Sequence, residues 1–335
     1  MDGPPEDVNC PAQPTRRAGR LAKIVSWTAG IALPAATFWL LAKAGPGELA
    51  GVFSSARFTT LMLACALYAA LSVSKAVRWR LVLGGGLRAR DYYSASSVHN
   101  LFALVVPMGL GEFAFVYIFT TRHGLSTGRS LAALAVGRAF DTVAVLCLSG
   151  GAAAIVWGLW PLALVSAAAL VGAGVLAGPA SRLGARAARG LAALLGGPSG
   201  RSGEALGHFA DGLDGGYASP RALAASVLSA ALVSAVLAAL AAAFVKDLAP
   251  SAAVAAGFLA PLGALIPVRG VADLGKFEAV WVAALAPWGV APREAFVAGF
   301  AIHVATLAMA ALVALVGWAI GAPGKPSSFG TPPQA

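Results

Sequence analysis

Six long apolar runs dominate the chain and restrict it to one class of fold. They cover residues 24–42, 58–77, 128–149, 152–177, 222–245 and 295–320. A helix needs roughly 20 apolar residues to cross the hydrocarbon core, and each run approaches that length. Only 11% of the 335 residues are charged, against roughly 25% in soluble domains. The sequence therefore predicts an all-α fold, a polytopic helical membrane protein.

The basic residues predict the orientation of these spans. Clusters lie at Arg16–Lys23, Lys75–Arg90 and Arg182–Arg221, beside apolar runs. Basic loops next to spans stay in the cytoplasm, so an even number of crossings must separate each pair of clusters. The net charge of +10 is thereby explained without nucleic acid as a partner. We expect the cell inner (cytoplasmic) membrane, with both termini cytoplasmic.

Two further apolar segments, 92–120 and 252–290, are broken by proline, glycine and charge. Arg122 and Arg129 follow the first segment and also favour the cytoplasm. We therefore predict six spans and two re-entrant hairpins, each entering and leaving the membrane on one side. An eight-span topology, with both segments crossing, stays open. A turn at Gly150–Gly151 is predicted between two neighbouring spans.

The predicted organisation is one membrane domain between two short tails. A basic cytoplasmic tail covers 1–23, the transmembrane domain covers 24–321 with a cytoplasmic loop at about 178–221, and a cytoplasmic tail covers 322–335. The sequence Ala42-Lys43-Ala44 resembles a signal-peptide cleavage site. Removal of the first run as a signal stays open, although its length favours an uncleaved span.

The two broken segments resemble each other and predict an inverted repeat. Each unit has a proline break, a glutamate, a helix, a glycine turn and an apolar span. The matched positions are Glu112, Gly124 and Arg138 in the first unit and Glu278, Gly289 and His303 in the second. From the glycine to the last position is 14 residues in both units. Three spans separate the units, so one is upside down relative to the other. Transporters built this way bind their substrate near the midplane, where the repeats meet.

Ionisable residues fall at membrane depth in both units. Each costs ~2.5–3.5 kcal/mol at a helix centre unless it faces a partner or a wet cavity. Together with the polar Asn100 they form the predicted substrate-binding site: Asn100, Glu112, Arg138, Asp141, Arg269, Asp273, Lys276 and Glu278.

Other interpretations of these residues stay open. Glu112 could cap a half-helix instead of binding substrate, and Arg138 with Asp141 could form a structural pair, since residues three apart share a helix face. The charges of the second segment could lie at the surface if its hairpin is shallow. His303 is expected to be a satisfied core histidine.

Enzyme and metal motifs are scarce in the sequence. It contains no GxSxG, HExxH or Walker A motif, and Cys10, Cys65 and Cys147 have no metal-ligand spacing. We assign no catalytic residue, cofactor or metal, and whether the protein is an enzyme stays open.

Short motifs along most of the chain resemble the flippase-like transmembrane domain of lysylphosphatidylglycerol synthases and its stand-alone relatives. In the first half they are Arg78-Trp79-Arg80-Leu81, Asn100, Pro107, Gly111-Glu112, Gly124-Leu125-Ser126 and the pair Arg138 and Asp141. In the second half they are Pro267, Gly275-Lys276-Phe277-Glu278, Gly289-Val290 and Ala295. The resemblance implies a protein that moves lipids between leaflets.

The chain departs from that family at three positions. Gly109 and Phe115 stand where the family usually has arginines, and Gly137 stands where it commonly has a glutamate. Fewer arginines in the first hairpin weaken the case for an anionic phospholipid headgroup there, and Arg269 and Lys276 are candidates to compensate. Membrane segments occupy the chain, so lysyl transfer is not expected.

We therefore expect a translocase of a lipid or a lipid-linked intermediate. Three alternatives stay open: an integral membrane transferase or hydrolase acting on a lipid, a non-catalytic partner of a lipid- or glycan-modifying complex, and a small-solute carrier. The expected partner is a membrane lipid or lipid-linked substrate, and a membrane-protein partner or a homo-oligomer is also open.

Overall fold

A computed structural model of the chain describes residues 32–194, 201–266 and 271–321, and these residues form helices without a strand. The helices are α1 (Ala32–Ala44), α2 (Pro46–Ser54), α3 (Phe58–Val82), α4 (Ala89–Val105), α5 (Phe113–His123), α6 (Thr127–Val156), α7 (Trp160–Leu194), α8 (Arg201–Asp214), α9 (Pro220–Phe244), α10 (Pro250–Leu259), α11 (Lys276–Leu285) and α12 (Pro292–Ile320). Short 3₁₀ turns cover Pro107–Glu112, Ala260–Leu265, Val271–Asp273 and Ala286–Trp288. The predicted all-α membrane fold is confirmed.

Five of these helices are long and apolar enough to cross a membrane: α3, α6, α7, α9 and α12. The sixth predicted span corresponds to α1, and its residues before Ala32 lie outside the described part of the chain, as do the whole N-terminal tail and the C-terminal tail. α7 packs least of the five, with Leu164 and Val175 more than 70% exposed. In a bilayer that surface faces lipid.

The predicted turn at Gly150–Gly151 is wrong, because α6 runs through both glycines to Val156. The chain turns at Gly158 instead, which adopts a left-handed φ of 70°. Glycine stays helical in a membrane since a backbone group released from the helix would find no water to bond. The predicted cytoplasmic loop at 178–221 is also largely helical: α7 continues to Leu194, and α8 packs against α6 and α7.

Local sequence sets where the long helices begin and end. Ser126 and Ser219 cap α6 and α9, their hydroxyls accepting from backbone N–H groups two or three residues inside the helix. Pro292 opens α12, where a missing N–H costs nothing. Gly124 and Gly289 precede α6 and α12 in matching left-handed conformations, with φ values of 70° and 72°. The two repeat units therefore make the same turn into their last helix.

Both broken segments form hairpins that return to the end of the bundle at which they start. The first rises along α4, breaks at Pro107–Glu112 and returns along α5 to Gly124. At the break, Glu112 hydrogen-bonds Arg138, the twelfth residue of α6. Twelve residues of helix are about 18 Å, so the tip stops near the middle of α6 and goes no further.

The second hairpin repeats this path from the other end of the bundle. It runs along α10, breaks between Ala260 and Asp273 and returns along α11 to Gly289. Glu278, just after that break, contacts His303, which is the twelfth residue of α12 as Arg138 is of α6. The prediction of two re-entrant hairpins is confirmed for the described residues.

Helix contacts support the inverted repeat. Each unit consists of a long helix, a hairpin and a second long helix, namely α3 to α6 and α9 to α12. If the units are equivalent, each contact between two helices should have a counterpart after the units are exchanged. The α3–α4 contact corresponds to α9–α10, α5–α6 to α11–α12, and α4–α12 to α10–α6. All six pairs are in contact. α3 and α9 are equivalent helices that pack on each other, with the Ser74 and Ser229 hydroxyls 2.9 Å apart.

Two apolar cores lie at opposite ends of the bundle. One includes Ala64, Val245 and Ala295, from the start of α3, the end of α9 and the start of α12. The other includes Val82 and Tyr217, beside the end of α3 and the start of α9. The described basic residues outside the hairpin sites divide unevenly between these ends, with Lys43, Arg57, Lys246 and Arg293 at the first and the remaining arginines at the second. We call the second end the basic end.

Candidate functional site

The first hairpin holds a cluster of charges, most of them partly buried, between α3, the break and α6. Arg138 donates to Glu112 through Nε at 2.9 Å and also through Nη2. Asp141 forms an ion pair with Arg78 of α3 and lies 3.5 Å from Nη1 of Arg138. The ring Nε2 of His99, on α4, is 3.5 Å from the Glu112 carboxylate. Four elements therefore meet through one network of charged groups.

A lysine extends this cluster but has no carboxylate of its own. Lys75 of α3 donates to the side-chain oxygen of Asn100, whose amide nitrogen donates to the Tyr68 hydroxyl at 3.0 Å. No described carboxylate lies within ion-pair distance of Lys75. A cavity of about 10 Å³ beside these residues is also lined by Ser72 and Ser97. That volume suffices for about one water molecule.

The described charges of the first cluster do not cancel. Three cations, Lys75, Arg78 and Arg138, face two anions, Glu112 and Asp141, which leaves one positive charge in excess. Two buried polar atoms nearby, Nε of Arg78 and Oγ of Ser97, have no hydrogen-bond partner among the described residues. Buried polar groups are otherwise nearly always paired, so these two atoms are exceptions within the cluster.

Two polar residues of the second hairpin are more buried than the glutamate of the first. Glu278 is fully buried, accepting from the backbone N–H of Gly275 at 2.6 Å and lying 2.8 Å from Nδ1 of His303. Lys276 is 7% exposed and lies 3.0 Å from Asp273. The surface-charge interpretation of these residues is therefore wrong for Lys276 and Glu278. Arg269 lies outside the described residues.

Close packing holds the hairpin breaks in place. The Pro107–Glu112 and Val271–Asp273 turns contact each other, so the two breaks meet between the repeat units. Gly111 packs against the Phe102 carbonyl so tightly that a Cβ would overlap it. The breaks form because Pro107 lacks an N–H and Gly109 takes a φ of 73°. Pro107 and Gly109 thereby place Glu112 where the first repeat unit meets the second.

The structure brings most of the predicted site residues together in two groups. Asn100, Glu112, Arg138 and Asp141 belong to the first cluster, and Asp273, Lys276 and Glu278 surround the second break. Glu112 stands at the start of α5 but its side chain makes no cap hydrogen bond. Arg138 and Asp141 do form the expected pair, and both also bind other elements. His303 is the expected satisfied core histidine, and its partner is Glu278.

Sequence reasoning missed Lys75, Arg78 and His99. Lys75 and Arg78 were grouped with the basic loop that sets orientation, although both lie within α3 and point into the cluster. Their spacing of three residues on one helix face was the signal that could have assigned them. His99 directly precedes Asn100, and a polar pair inside an apolar hairpin was the corresponding signal.

Gly137, one of the departures from the family pattern, has a packing role. A Cβ there would lie 2.6 Å from the Trp79 ring, which is 1% exposed. Trp79 also stacks near Phe115, with ring centroids 4.2 Å apart. Two of the three unusual residues, Gly137 and Phe115, therefore contact one buried tryptophan next to Arg78.

These features define a helical membrane protein built from two inverted units whose broken hairpins bring buried charges together. The chain belongs to the lysylphosphatidylglycerol synthase TM region family, whose model matches residues 27–314. This places it among membrane proteins related to lipid modification or transport. A search of curated proteins and a search of solved structures each found no match.

Proposed function

We propose that this protein translocates a lipid or a lipid-linked intermediate across the cytoplasmic membrane, with its basic end facing the cytoplasm. The headgroup would bind where the two hairpin breaks meet, while the acyl or polyprenyl chains stay in the bilayer. The family membership supports a lipid as the substrate, and the excess of basic residues at one end supports the orientation.

The observation that carries this proposal is the matched pair of glutamates at the two hairpin breaks. Each binds the twelfth residue of the following long helix. Two such sites facing opposite sides suit alternating access, in which a central site opens to one side and then to the other.

The first cluster favours an anionic group in the substrate. Arg78 and Arg138 already bind carboxylates, whereas Lys75 has only the neutral oxygen of Asn100. A buried cation without a counter-ion is costly, and a phosphate or carboxylate from the substrate would provide one. α3 thereby supplies the positive charge that Gly109 and Phe115 do not. The cavity must enlarge to admit a headgroup, since its present volume is about 10 Å³.

Mass spectrometry of co-purified lipids tests the proposal without assuming a substrate. The wild type is compared with Lys75→Gln, purified identically, which removes the cation that has only a neutral partner. We expect one anionic lipid class to be enriched over the membrane average in the wild type and to be reduced in the variant. Bulk lipid in both samples would contradict the proposed site. A modified lipid formed without any partner would instead support a transferase or hydrolase.

A further inference from the structure

A groove separate from the charged clusters lies at the basic end of the bundle. It has a volume of about 360 Å³ and lies between the last turns of α3 and α12 and the first turn of α4. Its walls are apolar, formed by Val73 and Val77 of α3 and Ile320 of α12, which are 47–54% exposed. A wall of this kind accommodates hydrocarbon.

Two arginines stand at the groove. Arg80 is exposed and makes no ion pair within the described part of the chain, and Arg90 has only Asp91 at 3.8 Å. Arg80 follows Val73 and Val77 by seven and three residues, so the charge and the apolar wall share one face of α3. The groove therefore joins an apolar channel to a site of uncompensated positive charge.

The depth of the groove matches the headgroup level of a bilayer. α3 has 25 residues, which makes it about 37 Å long, while the hydrocarbon core is about 30 Å thick. The helix exceeds the core by about 7 Å, so its last turn, which carries Arg80, can reach the membrane surface. Tyr93, on the opposite wall, is of the amphipathic type that is enriched at this level.

We propose that this groove binds one anionic phospholipid, with an acyl chain along Val73, Val77 and Ile320 and the phosphate between Arg80 and Arg90. The groove is formed by α3 and α4 of the first unit and α12 of the second, so the lipid bridges the two units. A bound lipid that joins the units stabilises the folded protein by mass action. This site is independent of the proposed translocation and does not share its residues.

The test is thermal unfolding of the detergent-solubilised protein during titration with phosphatidylglycerol or phosphatidylcholine. We expect phosphatidylglycerol to raise the midpoint of the wild type more than phosphatidylcholine does. Each arginine near an anionic lipid surface contributes about 1 kcal/mol, which corresponds to about fivefold in affinity. The double variant Arg80→Gln/Arg90→Gln should therefore bind phosphatidylglycerol more than tenfold more weakly. It should need a correspondingly higher lipid concentration for the same rise in midpoint.

Arg88→Gln is the matched control, because Arg88 is exposed at the end of the loop between α3 and α4 but does not line the groove. It should respond like the wild type. A second variant, Val77→Trp, fills the groove while keeping both arginines, and should also lose the response. Equal stabilisation by the two lipids, or an equal loss in Arg88→Gln and the double variant, would overturn the proposal.

Discussion

The Glu278 carboxylate lies 2.8 Å from Nδ1 of His303, and the two side chains are 0% and 5% exposed. In the first unit the equivalent pair, Glu112 and Arg138, is 17% and 41% exposed. The repeat thus conserves the positions of the pair but not its environment. The first pair is open at one side, whereas the second is enclosed, with Phe277 stacked on His303 at 4.4 Å.

This difference predicts unequal costs for the two glutamates. Glu278→Gln removes the charge of a fully buried carboxylate that makes two hydrogen bonds, and hydrogen bonds to charged groups contribute about 1.5–3 kcal/mol each. Glu112→Gln breaks a partly exposed ion pair, which solvent screens, and should cost about 1 kcal/mol or less. Denaturant unfolding in mixed micelles measures both. Equal losses of stability would show that the second pair is not more enclosed than the first.

Asn100→Asp places a carboxylate beside Lys75. It supplies the counter-ion that the first cluster lacks, so the protein should unfold at a higher temperature. The same carboxylate competes with a substrate anion, and charge-assisted hydrogen bonds contribute about 1.5–3 kcal/mol. Retention of anionic lipid should fall by about tenfold, measured by mass spectrometry. Asn100→Ala is the control, and it should lose stability while keeping the lipid. Unchanged retention in Asn100→Asp would argue against Lys75 as an anion-binding group.

Gly137→Ala should destabilise the protein by about 1–3 kcal/mol, the usual cost of overpacking a core. The added methyl group would lie 2.6 Å from Trp79, which is buried and cannot move aside. Gly172→Ala on α7 has open space around its new Cβ and should be neutral or stabilising, since alanine favours helix over glycine. The thermal midpoint should therefore fall in Gly137→Ala and stay level or rise in Gly172→Ala.

The re-entrant path of the first hairpin is testable by cysteine labelling in intact cells, using a background without the native cysteines. Arg88→Cys and Arg122→Cys flank the hairpin and should react from the same side of the membrane. Arg57→Cys and Lys246→Cys, from the other end of the bundle, should react from the opposite side. Labelling of Arg88→Cys and Arg122→Cys from different sides would support the eight-span topology.

The sequence was sufficient for the hairpins and the repeat, because each depends on local composition. Five of the six predicted spans are long apolar helices, and the sixth, α1, is described only from Ala32. The length of an apolar run predicts a span, and a proline with glycines predicts a break. Both patterns can be recognised without knowing any tertiary contact. The turn between α6 and α7 was misplaced because two adjacent glycines signal a turn in water. Within a bilayer the helix keeps its hydrogen bonds through them.

The candidate site was less predictable, because its members come from separate elements. Glu112 and Arg138 are 26 residues apart in sequence, and their contact follows only from the hairpin reaching the middle of α6. Lys75 and Arg78 lie where a basic residue ordinarily marks the membrane surface. Their burial depends on the packing of α3 against α4 and α6, which no local pattern reveals.

Lipid movement in proteoliposomes tests the central claim most directly. Fluorescent phosphatidylglycerol, phosphatidylethanolamine and a polyprenyl phosphate are reconstituted singly with the purified protein, and an impermeant quencher reports their exchange between leaflets. We expect the wild type to accelerate the exchange of an anionic probe, and Glu112→Gln to exchange it at the protein-free rate. Glu112→Gln should remain folded, so its loss of activity would point to the site itself. Wild-type exchange at the protein-free rate for every probe, or full activity in Glu112→Gln, would contradict that claim.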